Sequence, residues 1–233
     1  MEMAKRQSQG LRSLITPHEI IRSSRKTLAI SIDPFGRLIV RAPMRCEQKR
    51  IDDFLREKEA WILRKQAERQ GAGIQLPPEN LDGYEFLILG NRCKIVCIDE
   101  DKIGFDKARG LVYLPKKNTR KRLVEWLKEN ALRIFTKVTE QSAAQMGVSF
   151  QAVKINAARG SWGLCTADNV IKYSYRLLFA PKDVVEYVIV HELAHVTHKN
   201  HSARFWAEVA KYVPDYKTKR AWLKKYSVVM EIF

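Results

Sequence analysis

The chain is poor in cysteine and contains no long apolar run. Its 233 residues include four cysteines, which are Cys46, Cys93, Cys97 and Cys165. Cys93 and Cys97 have three residues between them, so they lack the C-x-x-C spacing of a zinc knuckle or a redox pair. No stretch approaches the roughly 18 apolar residues of a membrane span, and residues 1–8 lack the apolar segment of a secretory signal. We therefore expect reduced thiols, no membrane association and a soluble, cytoplasmic protein.

Acidic residues are scarce relative to basic ones. The chain has 42 Lys and Arg against 26 Asp and Glu, a formal net charge of +16. Such a surplus attracts acidic partners such as nucleic acid or nucleotides, although solvated helix faces explain it equally well. Two clusters hold many of these charges, at residues 116–122 and 217–225. Trp222 and Tyr226 interleave with the second cluster as in a nucleic-acid surface, but we favour aromatics packed inward and solvated charges.

Histidines are also few, and four of the five lie between residues 191 and 201. His191 and His195 are four residues apart, so they share one helix face and both rings can reach one ion. Glu192 completes an H-E-x-x-H motif, in which the glutamate activates a water molecule at the metal. His201 reaches the same ion if the helix ends near residues 199–200. With this third histidine, the chance of an accidental match falls to about one in ten thousand.

The segment that precedes the motif argues against a surface helix that carries histidines by chance. Nearly every face of this segment is apolar, because it contains Val184, Val185, Tyr187, Val188, Ile189 and Val190. A helix of this kind is buried, and polar side chains in a buried helix need partners. The pattern therefore favours a metal site over an exposed cluster of histidines.

The N-terminal half alternates strand and helix patterns. Residues 27–32 and 37–42 alternate in polarity around the turn sequence at 33–36, which predicts a β-hairpin. We expect an amphipathic helix over residues 47–69, and the Gly and Pro residues between 71 and 80 form the best candidate linker. Further strands are predicted at residues 84–89, 93–98 and 111–114.

The C-terminal half is predicted to begin with a long helix over residues 119–146. Asn118 can cap its start and Gly147 can end it in a left-handed conformation. Strands are then expected at residues 153–156 and 170–179. The buried stripe of the long helix is predicted to contain Leu123, Leu127, Ile134 and Val138. Three more helices are expected, beginning at Pro181, after Ser202 and near Asp215.

These elements describe an α+β protein in three parts. Residues 1–19 are basic and polar and predict a mobile arm. Residues 20–115 form an N-terminal β-hairpin, helix and strand region, and residues 116–233 form the core that carries the histidines. The linker candidate weakly favours two lobes.

The C-terminal part carries an ordered set of motifs besides H-E-x-x-H. They are Trp162-Gly163 with Cys165, Arg176-Leu177, Ala180-Pro181, His201-Ser202, Phe205-Trp206, Pro214-Asp215-Tyr216 and Trp222-Leu223. In this order they resemble the YgjP-like metallopeptidase domain, a minimal zincin related to SprT-like proteins, over roughly residues 155–225. The family carries an arginine just before the tryptophan, where this chain has Ser161 and where Arg159 lies two places earlier.

The resemblance implies a minimal zincin-type C-terminal core, in which the active-site helices pack on a short sheet. It also implies that His191, His195 and His201 bind zinc and that Glu192 is the general base. His198 is the competing third ligand. Because the family places that ligand in the His201-Ser202 pair, we rank His198 as a neighbour of the site or an exposed residue.

Two further groups of residues are candidates for the site. We expect Cys165 to be a buried structural thiol, because three histidines complete a catalytic zinc site and leave one position open. Tyr173, Tyr175 and Arg176 lie on the strand expected beside the cleft and are candidate donors to the reaction's oxyanion. For the two tyrosines we favour a packing role.

Three functions fit these residues. The first is a zinc-dependent peptidase, whose peptide substrate adds a strand to an exposed edge near residues 170–176. The second is a metal-dependent nucleoside triphosphate pyrophosphohydrolase, an activity linked to some relatives, which predicts Lys or Arg within reach of the metal. The third is a nucleic-acid-associated protein with structural zinc, which predicts a fourth protein ligand. We place the peptidase first because the motif chemistry and the resemblance agree.

Overall fold

The computed structural model describes residues 15–33, 36–70 and 77–226. Its chain divides into two compact units, Met1–Gln75 and Leu76–Phe233. The division falls within the predicted linker, most of which lies outside the described residues. The boundary expected between residues 115 and 116 instead falls inside the second unit.

The first unit contains a three-stranded sheet with two helices. Its strands are β1 (Glu19–Ser23), β2 (Ala29–Ile32) and β3 (Leu38–Pro43). The sheet order is β1-β3-β2, with β1 parallel and β2 antiparallel to β3. The β2–β3 pair confirms the predicted hairpin, while residues 34 and 35 of its turn lie outside the described residues. Its core contains Ile15, Leu38, Val40, Ala42, Ile51, Leu55 and Ile62.

Two expectations for this unit differ from the structure. Ile15 is buried in the core and Glu19 begins β1, so folded structure starts within the stretch predicted as an arm, whose residues 1–14 lie outside the described residues. The helix predicted over 47–69 is two helices, α1 (Gln48–Glu57) and α2 (Glu59–Gln70), divided at Lys58. No residue near the division is a helix breaker, so the sequence carries no local signal for it.

The second unit begins with a four-stranded sheet that packs against a long helix. The strands β4 (Glu85–Ile88), β5 (Asn91–Ile98) and β7 (Leu111–Pro115) confirm three predicted strands, and β6 (Gly104–Asp106) was not predicted. Their order is β4-β5-β7-β6, and β5 and β7 are parallel. Phe105 of β6 meets Trp126 of the long helix edge to face, with ring centroids 5.5 Å apart.

The long helix, α3, spans Thr119–Met146, as predicted, and Gly147 ends it with a left-handed φ of 66°. Asn118 does not cap its start through the side chain. The hydroxyl of Thr119 donates to the Pro115 carbonyl over 2.9 Å and joins the start of α3 to the end of β7. In the second half of α3 the buried stripe is rotated from the predicted one, because the helix turns its inner face toward the neighbouring sheet. The residues buried along α3 are Leu123, Trp126, Leu127, Ala131, Phe135, Thr139, Ala143 and Met146.

A second, three-stranded sheet lies beside α3. Its strands are β8 (Ala152–Asn156), β9 (Gly163–Cys165) and β10 (Val170–Ser174), in the order β8-β10-β9. The strand predicted over 170–179 therefore ends at Ser174, and the buried segment Tyr175–Phe179 is a 3-10 helix. The edge predicted near residues 170–176 is wrong, because β10 is the central strand. The edge strand next to α4 is β9.

Three helices complete the second unit. The first, α4 (Lys182–Thr197), follows Pro181 and is buried along its apolar segment, as predicted. It packs against α3, β9 and the two helices that follow, α5 (Ala203–Tyr212) and α6 (Tyr216–Lys225). Ser202 caps α5 through its hydroxyl, which accepts the Phe205 N–H. Along the described chain, no helix combines the length and apolarity needed to cross a bilayer.

Candidate metal centre

The C-terminal half of α4 and the turn that follows it bring three histidines together. His191 and His195 lie on one face of α4, with ring centroids 5.0 Å apart. The helix ends at Thr197, and the chain turns back through residues 198–202 to place the His201 ring 4.7 Å from that of His195. One nitrogen from each ring lies within 4.8 Å of the other two. The predicted turn near residues 199–200 is therefore what brings His201 to the site.

Neighbouring groups orient these rings. The Nδ1 atom of His195 lies 2.9 Å from the carbonyl oxygen of His198, which leaves Nε2 free for a metal. The Nε2 atoms of His191 and His201 are 3.1 Å apart. The buried Nδ1 atom of His191 has no hydrogen-bond partner among the described residues. Beneath the three rings lies Phe205 of α5, whose ring centroid is 4.5 to 4.9 Å from each of them.

This donor set fits a divalent metal such as zinc. Two imidazole nitrogens at the usual zinc distance and a tetrahedral angle are about 3.3 Å apart, close to the separation of His191 and His201 Nε2. A histidine binds a metal through a neutral imidazole. Burial, followed by the positive charges of His195, His201 and Arg220, lowers the pKa of His191 to about 3. Burial also lowers the pKa of His195, against the opposing effect of the His198 carbonyl.

Glu192 follows His191 directly on α4 and carries a buried carboxyl group. Its side chain is only 5% exposed, and burial raises its pKa to about 7. The backbone N–H of Cys165 in β9 donates to the carboxylate and partly offsets this rise. A pKa near neutrality suits a group that must take up and release a proton in one reaction cycle.

A glycine in β9 makes room for this carboxyl group. A Cβ atom at Gly163 would lie 2.6 Å from the Oε1 atom of Glu192 and 2.7 Å from its Cγ atom. Any side chain at position 163 would therefore displace Glu192. By contrast, a Cβ atom at Gly160 in the preceding loop would have no heavy atom within 4 Å.

A model of one protein family matches almost all of the chain. The matched family is the YgjP-like metallopeptidase domain, and the match covers residues 26–226. The chain belongs to this family. It matches no curated protein and no solved structure. The match confirms the resemblance found in the C-terminal motifs and extends it into the first compact unit.

In this YgjP-like chain, several sequence candidates make their contacts with other parts of the fold. Tyr173 is buried against α3, where its hydroxyl lies 3.1 Å from that of Thr139 and its ring meets Phe135 edge to face. Tyr175 is also buried, and the Arg176 guanidinium lies over its ring, 4.5 Å from the centroid, while also donating to a backbone carbonyl. These contacts favour packing roles for all three.

Two other predictions have clear structural counterparts. Cys165 is a free, half-buried thiol outside the histidine group, and burial raises its pKa. His198 ends α4, and its contact with His195 is made by its backbone carbonyl. Sequence reasoning missed the role of this carbonyl because every residue has one. It also missed Gly163, although the Trp162-Gly163 pair was noted as part of the family resemblance.

A stack of aromatic rings and a cation next to His201 were also missed. Trp206 of α5 lies against the His201 ring, with centroids 5.6 Å apart and planes 24° from parallel. Tyr216 stacks on Trp206 at 5.1 Å, and the Arg220 guanidinium lies 5.0 Å from the Trp206 centroid. The spacing of Tyr216 and Arg220, at i and i+4 on α6, was the available signal.

Proposed function

We propose that this chain is a zinc-dependent metallopeptidase with Glu192 as its general base. The single observation that carries the proposal is the convergence of three imidazole nitrogens on a helix that also carries the buried carboxyl group of Glu192, the residue after His191. Zinc held by His191, His195 and His201 would keep one coordination position open, lower the pKa of a water molecule and polarise a carbonyl group.

The chain's own residues then account for the movement of the proton. Glu192, with a pKa of about 7 in the metal-free protein, is partly deprotonated at neutral pH and accepts a proton from the attacking water. The same carboxyl group returns this proton to the leaving amine. The Cys165 N–H and the space at Gly163 hold the carboxylate in place during both transfers.

The edge of β9 is the proposed binding site for the peptide backbone. Two backbone hydrogen bonds join the ends of β9 to β10. The Trp162 carbonyl accepts the Ser174 N–H over 2.9 Å, and the Thr166 N–H donates to the Val170 carbonyl over 3.0 Å. Because hydrogen-bonding direction alternates along an antiparallel strand, the backbone groups of Gly163 and Cys165 point away from β10. The Cys165 N–H is already bonded to Glu192, so the Gly163 N–H and the carbonyl groups of both residues are the groups that would pair with a substrate strand. A substrate strand added at this edge would lie beside Glu192.

The test compares wild type with Glu192→Gln and with Glu186→Gln, a matched control on the same helix whose side chain is 46% exposed. Each protein is assayed for zinc content and for hydrolysis of an unstructured protein and of nucleoside triphosphates. We expect all three proteins to bind zinc and only Glu192→Gln to lose protein hydrolysis. If wild type cleaves neither substrate, or if Glu192→Gln remains active, the proposal is wrong.

A second candidate, nucleoside triphosphate pyrophosphohydrolase, rests on the cations around the histidines. Arg220 and Lys199 are close enough to act electrostatically on His191 and His195 respectively, as phosphate recognition requires. Triphosphate cleavage with protein spared would favour this candidate. The third candidate, structural zinc, is not favoured, because no other His, Cys, Asp or Glu of the described residues joins the three histidines.

A further inference from the structure

One wall of the candidate site is built from aromatic rings on α5 and α6. His201, Trp206 and Tyr216 lie one against the next, with centroid separations of 5.6 Å and 5.1 Å. The Trp206 ring is also 5.8 Å from that of His191. Trp206 is therefore in direct contact with two of the three histidines.

Arg220 brings a cation to this wall. Its guanidinium carbon is 5.0 Å from the Trp206 centroid. The Trp206 centroid is in turn 5.6 Å from the centroid of the His201 ring. The residue is exposed. A guanidinium held over an aromatic face still has its N–H groups available to an anion at its edge.

Two carboxylates close to α6 are already bound by Lys219, the residue before Arg220. Lys219 forms ion pairs with Asp183 of α4 and with Asp215, the latter over 3.0 Å. The pair with Asp183 ties α6, the helix that carries Arg220, to α4. Within the described residues, Arg220 has no carboxylate within ion-pair distance. An arginine beside a catalytic centre, positioned by its neighbours and lacking an internal anion, has the properties of a ligand-binding group.

We propose that Arg220 binds a carboxylate of the peptide substrate close to the scissile bond and so sets a preference for acidic peptides. This inference rests on the proposed peptidase function and adds a substrate class to it. The planar guanidinium suits a carboxylate because it can donate two parallel N–H bonds to the two oxygens. Trp206 positions the guanidinium, Tyr216 stacks on Trp206, and Lys219 ties α6, the helix that carries Arg220, to α4.

The test uses peptides that wild type cleaves, synthesised in pairs with Glu or Gln at each position next to the scissile bond. We compare kcat and KM for wild type, Arg220→Gln, Arg220→Lys and Lys224→Gln, a control that removes an exposed charge from the same helix. Wild type should prefer Glu at one position. Arg220→Gln should lose about 10-fold in kcat/KM on that Glu peptide, mainly through KM, and little on its Gln partner. Arg220→Lys should retain part of the preference, and Lys224→Gln all of it.

A binding measurement separates this inference from the peptidase proposal. Zinc-loaded Glu192→Gln, with and without Arg220→Gln, is titrated calorimetrically with the Glu and Gln peptides, and with a nucleoside triphosphate. Weaker binding of only the Glu peptide after loss of Arg220 supports the inference even if no peptide is cleaved. Equal losses on both peptides, equal losses in Lys224→Gln, no loss at all, or a loss confined to the triphosphate would overturn it.

Discussion

At the scale of single residues, the candidate site depends on the absence of a side chain at Gly163. The Glu192 carboxyl group occupies the position that a side chain at residue 163 would need. Its burial raises its own pKa toward neutrality, and the Cys165 N–H and the space at Gly163 hold it in place. Position 163 and position 192 therefore constrain each other, although they are far apart in sequence.

We predict that Gly163→Ala impairs hydrolysis without loss of zinc. The new methyl group would meet Glu192 Oε1 at 2.6 Å and push the carboxylate from its place. A displacement of this kind lowers kcat by about 100-fold. Gly160→Ala, where the added methyl group meets open space, should leave kcat within about twofold. Steady-state kinetics with zinc analysis checks both, and equal kcat values for the two variants would contradict the prediction.

Removal of a single histidine should separate ligands from neighbours. His201→Ala deletes a proposed ligand, so we expect zinc affinity to fall by more than the roughly 10- to 100-fold typical of a lost outer partner. His198→Ala keeps the backbone carbonyl that contacts His195, so its affinity should change less than about 10-fold. Competition with a chelator measures both affinities. A larger loss in His198→Ala than in His201→Ala would make His198 the ligand.

Burial of Glu192 also predicts how the stability of the metal-free protein depends on pH. The folded protein favours the protonated carboxyl group, because its pKa is about 7 in the fold against an ordinary value of 4.5. The preference of the folded protein for the protonated carboxyl group contributes fully to its stability below about pH 4.5. This contribution is lost as pH rises through 7, which lowers the free energy of unfolding by on the order of 3 kcal/mol.

Glu192→Gln lacks this carboxyl group and isolates its effect. Its free energy of unfolding, relative to metal-free wild type, should increase between about pH 4.5 and 7. Protonation of His191 at low pH affects both proteins alike and cancels from the difference. Denaturant titrations across this range provide the measurement, and a difference independent of pH would show that the carboxyl group is not buried as described.

At the scale of elements, the packing of β10 on α3 is what positions the sheet beside α4. Tyr173 and Thr139 share a hydrogen bond in a buried setting, and Phe135 meets the same tyrosine ring. The central strand of the sheet is thereby anchored to the longest helix. Its neighbour β9 then packs against α4, with Gly163 facing Glu192.

We predict that Tyr173→Phe lowers stability and leaves catalysis unchanged. Loss of the hydroxyl removes the bond to Thr139, which should cost about 1 kcal/mol of unfolding free energy. Its turnover should stay within about twofold of wild type, because the hydroxyl points to α3. A double-mutant cycle with Thr139→Val measures the coupling. If turnover instead falls by about 10-fold or more, Tyr173 belongs to the groups that stabilise the oxyanion.

At the scale of the whole molecule, both proposed binding surfaces and the three histidines belong to the second compact unit, Leu76–Phe233. The first unit has a core of its own. We predict that a fragment starting at residue 76 folds and binds zinc, with thermal unfolding raised by the metal. In the same fragment with His201→Ala, zinc should raise the thermal unfolding temperature much less. A fragment that stays unfolded in excess zinc would show that the first unit is needed for folding.

Much of the local structure could be predicted from the sequence. The bounds of α3, the β2–β3 hairpin, the Ser202 cap and the burial of α4 follow from the polarity and conformational preferences of neighbouring residues. Local sequence patterns gave wrong predictions where contacts between elements set the structure. The end of β10 at Ser174 and the rotated stripe of α3 depend on how the sheet and helix meet.

The sequence by itself determined the chemical character of the site, because H-E-x-x-H and the following turn place three histidines and a glutamate within eleven residues. Only the tertiary structure decided how that site is supported. It showed that the missing side chain at Gly163 leaves space for Glu192 and that a backbone carbonyl orients His195. It also showed that Arg220 packs on Trp206, whose ring lies against His201. Local patterns encode which residues share a helix face, whereas contacts between distant segments arise only when those elements pack together.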